Sequence, residues 1–282
     1  MKKYILNLIL LFALNSYLNA QSAIRFAPLP VENYQIVMEQ YKDLISFLKK
    51  HTKLDIDIVY ASSYTDIIKK FKNKEIDLMM VGPLSYASLI SQYQYILPLS
   101  QFLSKNGLDT YTCTLFSLAD KNINLDKLQN TNIALTQKTS TCGYFFTESV
   151  LTQNNSSLLK NNYTYTGSHS DSVLSVLLGE SEIGSAHSGV VNEYLHLGIK
   201  PIVISNKLPN FILVANTKTL SKNTINKLRK ALAMLNPKAE NNLLKITKKW
   251  HKGFRNGAVL IDDKKRKEIE EILKNAGIKI DR

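Results

Sequence analysis

The sequence predicts an α/β protein made of two units, each with a sheet covered by helices. Strand-like and helix-like segments alternate along the 282 residues, and the alternation restarts after Asn106-Gly107. Hydrophobic residues make up 44% of the chain and charged residues 21%, so the chain can build a substantial core. No stretch rich in proline or serine separates the two units. We therefore expect them to be joined by continuous strands.

The first twenty residues have the layout of a secretory signal peptide. Lys2-Lys3 precedes an apolar stretch over residues 4–14 that is too short to span a bilayer comfortably, and a polar segment with small residues ends at Ala20. The pattern predicts an exported protein with cleavage near Ala20. An uncleaved membrane anchor is the alternative, because Leu18 is not an ideal residue three positions before the cleavage point.

The first unit alternates regularly between strands and helices. Strands are predicted from period-two or wholly apolar runs, and helices from apolar residues at helical spacing. The predicted order is a strand at 24–27, a helix at 34–50, a strand at 54–60, a helix at 64–71, a strand at 76–81 and a helix starting near residue 84. This order indicates a parallel sheet with helices on both faces.

The second unit follows the same logic, and the chain then returns to helices. Strands are predicted at 111–118, 133–135, 183–186, 201–204 and 211–215, and helices from about 140, at 171–178 and in the tail from 221. We expect one lobe to comprise residues 21–110 and 204–282, and the other residues 111–203. The chain would cross between them near Tyr111 and Ser205.

Composition and motifs argue against several classes of function. The net charge of +13 resides largely in helix-like runs such as 264–267 (KKRK), which indicate a solvated surface with weak attraction for anions. Basic residues do not alternate with stacking aromatic residues, so we expect no nucleic-acid partner. Nucleophile-elbow, phosphate-loop and zinc motifs are absent, and the five histidines lack metal-ligand spacing. We predict neither an enzyme nor a cofactor or metal.

Residues 137–144 (QKTSTCGY) are the most informative stretch. They follow a short strand and open a helix, where hydroxyl side chains and free backbone N–H groups can hold an anion, and Gly143 would let a ligand approach. Residues 81–86 (VGPLSY) repeat the arrangement of strand, turn and helix start in the first unit. Two helix starts that face one cleft would bind a small oxyanion. An ordinary helix cap is the alternative for either stretch alone.

These stretches resemble the periplasmic phosphonate-binding proteins, the solute receptors of phosphonate ABC importers. The resemblance extends over residues 24–274 and is carried by 26–30 (FAPLP), 41–48 (YKDLISFL), 63–65 (SYT), 76–86 (IDLMMVGPLSY) and 139–144 (TSTCGY). It implies a type II periplasmic-binding-protein-like fold, with two α/β lobes, a ligand cleft between them and hinge closure on binding. It also implies a periplasmic location and binding without turnover. We expect a monomer.

The resemblance further implies which residues hold the ligand. In the family, a turn rich in serine and threonine, two tyrosines and one histidine contact the oxyanion. Cys142 stands where a serine is usual. Together with the first-unit turn, the predicted ligand-binding residues are Tyr64, Ser85, Tyr111, Ser140, Thr141, Cys142, Gly143 and His169.

Two departures from the family pattern bear on specificity. Relatives that take aminoalkyl phosphonates hold the ammonium with carboxylates, and Gly189 and Phe211 stand at those places here. A desolvated ammonium would lack its partner in such a pocket. We therefore expect a smaller or apolar-tailed ligand, namely phosphite, methylphosphonate, phosphate or a similar oxyanion.

The two cysteines leave two hypotheses open. Cys113 and Cys142 are both predicted to border the cleft, and an oxidising compartment favours a disulfide between them. Alternatively, a pair of free thiols would bind a soft, thiophilic species. The expected partner is the membrane permease of an ABC transporter. The alternative is a membrane histidine kinase, with this protein as its periplasmic oxyanion sensor, including a receptor for arsenic oxyanions through Cys113 and Cys142.

Overall fold

Two mixed β-sheets organise the chain in the computed structural model, which describes residues 23–238 and 243–280. The six-stranded sheet has the spatial order β13 (Ala258–Leu260), β4 (Ile96–Phe102), β12 (Ile212–Asn216), β3 (Leu78–Val81), β1 (Ile24–Ala27) and β2 (Ile56–Ile58). The five-stranded sheet has the order β10 (Ile199–Ile204), β6 (Cys113–Leu118), β9 (Ile183–His187), β7 (Asn132–Leu135) and β8 (Asn162–Tyr165). The predicted signal peptide and its cleavage near Ala20 lie outside the described residues.

The chain passes twice between the two sheets, and the two connecting segments pair with each other as a two-stranded ribbon. It pairs β5 (Thr110–Tyr111) with β11 (Leu208–Pro209) in antiparallel register. The helices are α1 (Tyr34–Thr52), α2 (Tyr64–Lys72), α3 (Pro83–Gln92), α4 (Thr147–Gln153), α5 (His169–Leu177), α6 (Ser188–Val191), α7 (Lys222–Ala233), α8 (Leu243–Thr247) and α9 (Asp263–Asn275). A π-helical turn (Thr141–Phe146) precedes α4, and single 3₁₀ turns span Leu158–Lys160 and Leu195–Leu197. No described helix has the length and apolarity that crossing a membrane requires.

The predicted parallel arrangement is right for only part of each sheet. Strand β1 pairs in parallel with β2 and β3, and β7 pairs in parallel with β8 and β9. Strand β12, however, is antiparallel to both β3 and β4, and β6 is antiparallel to β9 and β10. Both sheets are therefore mixed, because strands that run between the two units enter each sheet in the opposite direction.

Helix α1 illustrates how the sequence builds the core. Val37, Tyr41, Leu44 and Leu48 recur every three or four residues and are at most 3% exposed. Asn33 accepts a hydrogen bond from the third helical N–H, which satisfies an end of the helix that the backbone leaves open. The periodicity of this segment thus predicts both the helix and its buried face.

Strand β4 was absent from the sequence prediction, although all but its first two residues are buried. It contains Pro98, which lacks the N–H that a central strand uses in its ladder. The structure accommodates the proline at a register shift, where Leu213 of β12 lies opposite Ser100 and Val214 lies opposite Pro98. Polar residues Ser100 and Gln101 are fully buried in the same strand, which removed the hydrophobic pattern that prediction relies on.

Apolar packing is continuous from one sheet to the other. One cluster joins Val81 of the six-stranded sheet to Cys113 and Ile133 of the five-stranded sheet, and it includes Tyr111 and Cys142. Two further clusters include buried residues of the six-stranded and of the five-stranded sheet, respectively. The elements that carry the predicted ligand residues therefore extend from a shared buried region.

Candidate functional site

The serine-rich turn begins as the sequence predicts, with Ser140 as the cap of a helix. Ser140 is 1% exposed, and its Oγ accepts a hydrogen bond of 3.1 Å from the N–H of Gly143. The first turn is π-helical, and the N–H of Phe145 reaches back to the carbonyl of Ser140. Such turns often occur at functional sites because they widen the helix and redirect its first side chains. The Ser140 hydroxyl proton remains available to donate.

Gly143 has a structural role that sequence analysis did not foresee. A Cβ at this position would lie 2.2 Å from Oγ1 and 2.5 Å from the backbone nitrogen of Thr136. No side chain fits there unless the strand end that carries Thr136 moves. Packing alone therefore requires glycine at position 143, and its contact with a ligand remains a prediction.

Thr141 connects the turn to the other half of the molecule. Its Oγ1 accepts a hydrogen bond of 3.1 Å from the N–H of Leu84, in the first turn of α3. The residue that caps α3 is Gly82, which has no side chain to satisfy this N–H, so Thr141 supplies the missing acceptor. The two predicted helix starts therefore meet. Ser85, the next residue of α3, is 4% exposed.

The two predicted tyrosines are buried and neutral. Burial raises the pKa of both Tyr64 and Tyr111 well above the ordinary value of a tyrosine, so each keeps its hydroxyl proton. The side chain of Thr141 partly opposes this rise in the pKa of Tyr111, so the two side chains lie close together. Tyr64 lies close enough to Tyr111 for this neighbour to contribute to the raised pKa of Tyr64. The structure thus brings Tyr64, Tyr111 and Thr141 into one neighbourhood.

Gln137 joins the two halves of the molecule through both ends of its amide. Its Oε1 accepts a hydrogen bond of 2.9 Å from the N–H of Tyr64, and its Nε2 donates to the carbonyls of Pro30 at 2.7 Å and Gly167 at 2.8 Å. Sequence analysis placed Gln137 at the start of the anion-binding stretch but gave it no role. A glutamine beside a serine-rich turn carries no signal of its own, since its partners are distant in sequence.

His169 is 6% exposed and stands at the start of α5. Its Nδ1 accepts a hydrogen bond of 3.1 Å from the backbone N–H of His187. Burial lowers the pKa of His169 to about 3, with a smaller contribution from the neighbouring His187. The imidazole is therefore neutral at physiological pH and acts as an N–H donor and not as a cation.

His187 is a neighbour of the site that sequence analysis did not identify. Its ring stacks on that of Tyr111, with centroids 4.6 Å apart and planes 12° from parallel. Burial lowers the pKa of His187 to about 4, and the charge of Lys105 contributes. The only available signal was its position at the end of strand β9, where residues often face a ligand.

Two further hydroxyls in this region are buried without a partner. Among the described residues, Oγ1 of Thr136 and Oγ1 of Thr139 have no hydrogen-bond partner. Buried hydroxyls in native proteins are normally paired, so each unpaired one needs an explanation. Thr139 directly precedes Ser140, and a ligand oxygen at the turn would supply the missing partner.

The cysteines form a disulfide in the structure. Cys113 and Cys142 are bonded through their sulfurs, with their Cα atoms 5.1 Å apart, and both are buried. The Cys142 carbonyl also accepts a hydrogen bond of 2.6 Å from Ser185. Neither cysteine has a free thiol, so the hypothesis of a thiol-bound arsenic species is wrong for this structure. Cys142 can contact an anion only through its backbone.

The residues brought together here can donate hydrogen bonds without carrying a charge. They offer hydroxyl and imidazole donors, all uncharged, with side chains drawn from both sheets. Within the described residues, no group of three or more histidine, cysteine, aspartate or glutamate side chains is arranged to hold a metal ion. Uncharged donors in a buried environment can bind a small anion without any covalent step.

The fold is similar to that of known binding proteins. PhnD1 from Prochlorococcus marinus (MIT 9301), solved in complex with methylphosphonate, is 16% identical, with a TM-score of 0.74 over 91% of this chain and 99% of that chain. A binding-protein component of an ABC phosphonate transporter from Pseudomonas aeruginosa is 18% identical, with a TM-score of 0.72 over 90% of this chain and 86% of that chain. These likenesses establish the periplasmic-binding-protein fold.

The sequence model of one protein family matches residues 26–258, which is most of the chain. Its description is that of the periplasmic substrate-binding protein of a phosphonate ABC transporter. Members of this family bind solutes and do not catalyse a reaction. The chain therefore belongs to the family of periplasmic substrate-binding proteins of phosphonate ABC transporters.

Proposed function

We propose that this protein is the periplasmic receptor of an ABC importer for a small phosphorus oxyanion such as methylphosphonate, phosphite or phosphate. Ligand would bind between two lobes, residues 21–110 with 204–282 and residues 111–203. The observation that carries the proposal is the contact of Thr141 with both the Leu84 N–H and Tyr111, since it joins the two predicted oxyanion turns. A tetrahedral anion has several acceptor oxygens, and donors from two sides match it.

The surroundings of the site support a ligand without an ammonium group. The ring of Phe211 lies 5.9 Å from that of Tyr111 and would be 3.6 Å from a Cβ on Gly82. An apolar ring therefore borders the residues that we assign to the oxyanion, at a place where a carboxylate would be needed to bind an amine. Desolvation of an ammonium against Phe211 would not be compensated.

The proposed partner is the permease of the importer, and the proposed location is the periplasm after removal of residues 1–20. Lobe closure around the ligand would present a recognisable surface to the membrane protein. The alternative of a sensor kinase as partner rests on family analogy. One form of it, an arsenic receptor, needs free thiols at Cys113 and Cys142, and the disulfide removes the support for that form.

Calorimetric titration of the protein beginning at residue 21 tests this function. We expect methylphosphonate, phosphite or phosphate to bind without turnover, and 2-aminoethylphosphonate to bind more weakly than methylphosphonate. Sulfate serves as a control for binding of any tetrahedral anion. Tighter binding of 2-aminoethylphosphonate would overturn the proposed specificity, and no binding of any phosphorus oxyanion would overturn the function itself.

A further inference from the structure

We propose that His187 is a further ligand-binding residue, and that His187 and His169 together present two uncharged imidazole N–H groups to the oxyanion. This inference rests on the proposed function, because it assigns a new contact within the same site. It is argued from the hydrogen bonding of both rings, the stacking of His187 on Tyr111 and the space that Gly189 leaves open.

Hydrogen bonds to the backbone fix which ring nitrogen carries the proton. Nδ1 of His169 accepts the N–H of His187, and Nδ1 of His187 accepts the N–H of Gly189 at 2.9 Å. A nitrogen that accepts such a bond carries no proton, so the proton of each neutral ring is on Nε2. Both rings are therefore oriented as donors.

Both Nε2–H groups lack a partner in the part of the chain that the structure describes. Neither Nε2 is among the fully buried side-chain atoms that lack a partner in the described residues, so each N–H group can be reached by a solvent molecule or a ligand. An anion with several oxygens provides the missing acceptors.

The position of His187 connects it to residues already assigned to the ligand. Its ring lies face to face on Tyr111, and its centroid is 6.2 Å from that of His169. In the antiparallel pairing of β6 with β9, His187 stands directly opposite Cys113. The disulfide of Cys113 then leads to Cys142 in the anion-binding turn. His187 is thus adjacent to the proposed site on two sides.

Gly189 is the residue that lets the ring occupy this place. A Cβ on Gly189 would lie 3.0 Å from both Cε1 and Nδ1 of His187. A larger side chain at position 189 would push the ring away from its stacked position. The choice of glycine at 189 and histidine at 187 is therefore coupled. The Nε2–H of His187 would then face the ligand, and this donor favours an oxygen of the anion over a positively charged substituent.

Two substitutions separate a binding role from a structural one. In His187→Asn the side-chain oxygen can still accept the Gly189 N–H, but no donor reaches the position of Nε2. In His187→Gln the amide nitrogen reaches that position, but the bond from Gly189 is lost. We expect the dissociation constant for methylphosphonate to rise roughly 10–100-fold in His187→Asn, the loss typical of a hydrogen bond to a charged group. The Gln variant should recover most of the affinity.

A purely structural role predicts the opposite order, with Asn close to wild type and Gln impaired, and that result would overturn the inference. His196→Asn, on an exposed residue, is the control for histidine replacement in general. Wild-type protein that fails to bind methylphosphonate, phosphite or phosphate contradicts the proposed function, and normal binding by His187→Asn contradicts this inference alone. Should the variants fold poorly, nitrogen-15 NMR of the wild-type imidazoles decides, because methylphosphonate must shift the Nε2–H resonances of two histidines.

Discussion

Removal of the disulfide should lower the free energy of unfolding, and the length of the loop that the disulfide closes determines by how much. The double variant Cys113→Ala with Cys142→Ala removes a cross-link between residues separated by 29 positions. Loop-closure entropy for a loop of this length corresponds to about 3.6 kcal/mol at 25 °C. For a chain of this size, such a loss lowers the melting temperature by about 7–14 °C.

Differential scanning calorimetry of the ligand-free proteins measures this loss directly. Mass spectrometry after alkylation of unreduced, unfolded wild-type protein provides the companion measurement, and we expect no labelled cysteine. A decrease in melting temperature below about 2 °C would refute the entropic reasoning. Alkylation of both cysteines would refute the disulfide itself. We also expect weaker methylphosphonate binding by the variant, since Tyr111 and Thr141 lie close to the two cysteines in sequence.

Three further predictions concern the turn, the bridge between the halves and pH. Gly143→Ala should lower the free energy of unfolding in urea by about 1–3 kcal/mol, because the added methyl group overlaps the backbone of Thr136. Gly82→Ala, where a methyl group has room, should lower it by less. Equal losses in the two variants would contradict the packing argument. Gln137→Ala should enlarge the radius of gyration of the ligand-free protein in X-ray scattering and weaken ligand binding about tenfold, since it loses the hydrogen bonds that join Gln137 to Tyr64 and Pro30 of the other half. The depressed pKa values of His169 and His187 mean that only the unfolded chain takes up protons between pH 7 and 5, so stability should fall by about 2 kcal/mol per histidine over that range. A His187→Asn variant with the same pH dependence as wild type would contradict this assignment.

Sequence analysis predicted the elements whose information is local. Helix α1 has an apolar face at regular spacing and a capping asparagine, so both its extent and its burial follow from its own residues. Strand β8 shows the limit, because all its residues are exposed and its sequence has no aliphatic face that would mark it as part of a core. Whether a strand runs parallel or antiparallel to its neighbours could not be predicted either, because it depends on how the chain returns to each sheet.

The part of the candidate site that lies at a helix start was predictable, because a capping residue marks the start in the sequence. Ser140 caps a helix as expected, and Thr141 lies where two turns meet. Gln137 and His187 were missed because their partners are remote in sequence and their residue types suggest nothing by themselves. Gly143 was assigned to the ligand, whereas its tight fit against Thr136 is visible only in three dimensions.

If the proposed oxyanion binds at this turn, the hydrogen bond from the Leu84 amide to Thr141 affects which solutes bind. An oxyanion that uses this amide must first displace an internal hydroxyl, so the exchange replaces one acceptor with another. The gain comes from the difference between a charged oxygen and a neutral one, and uncharged solutes gain nothing from it. A receptor with such an internal acceptor would bind neutral molecules of the same shape less tightly than anions.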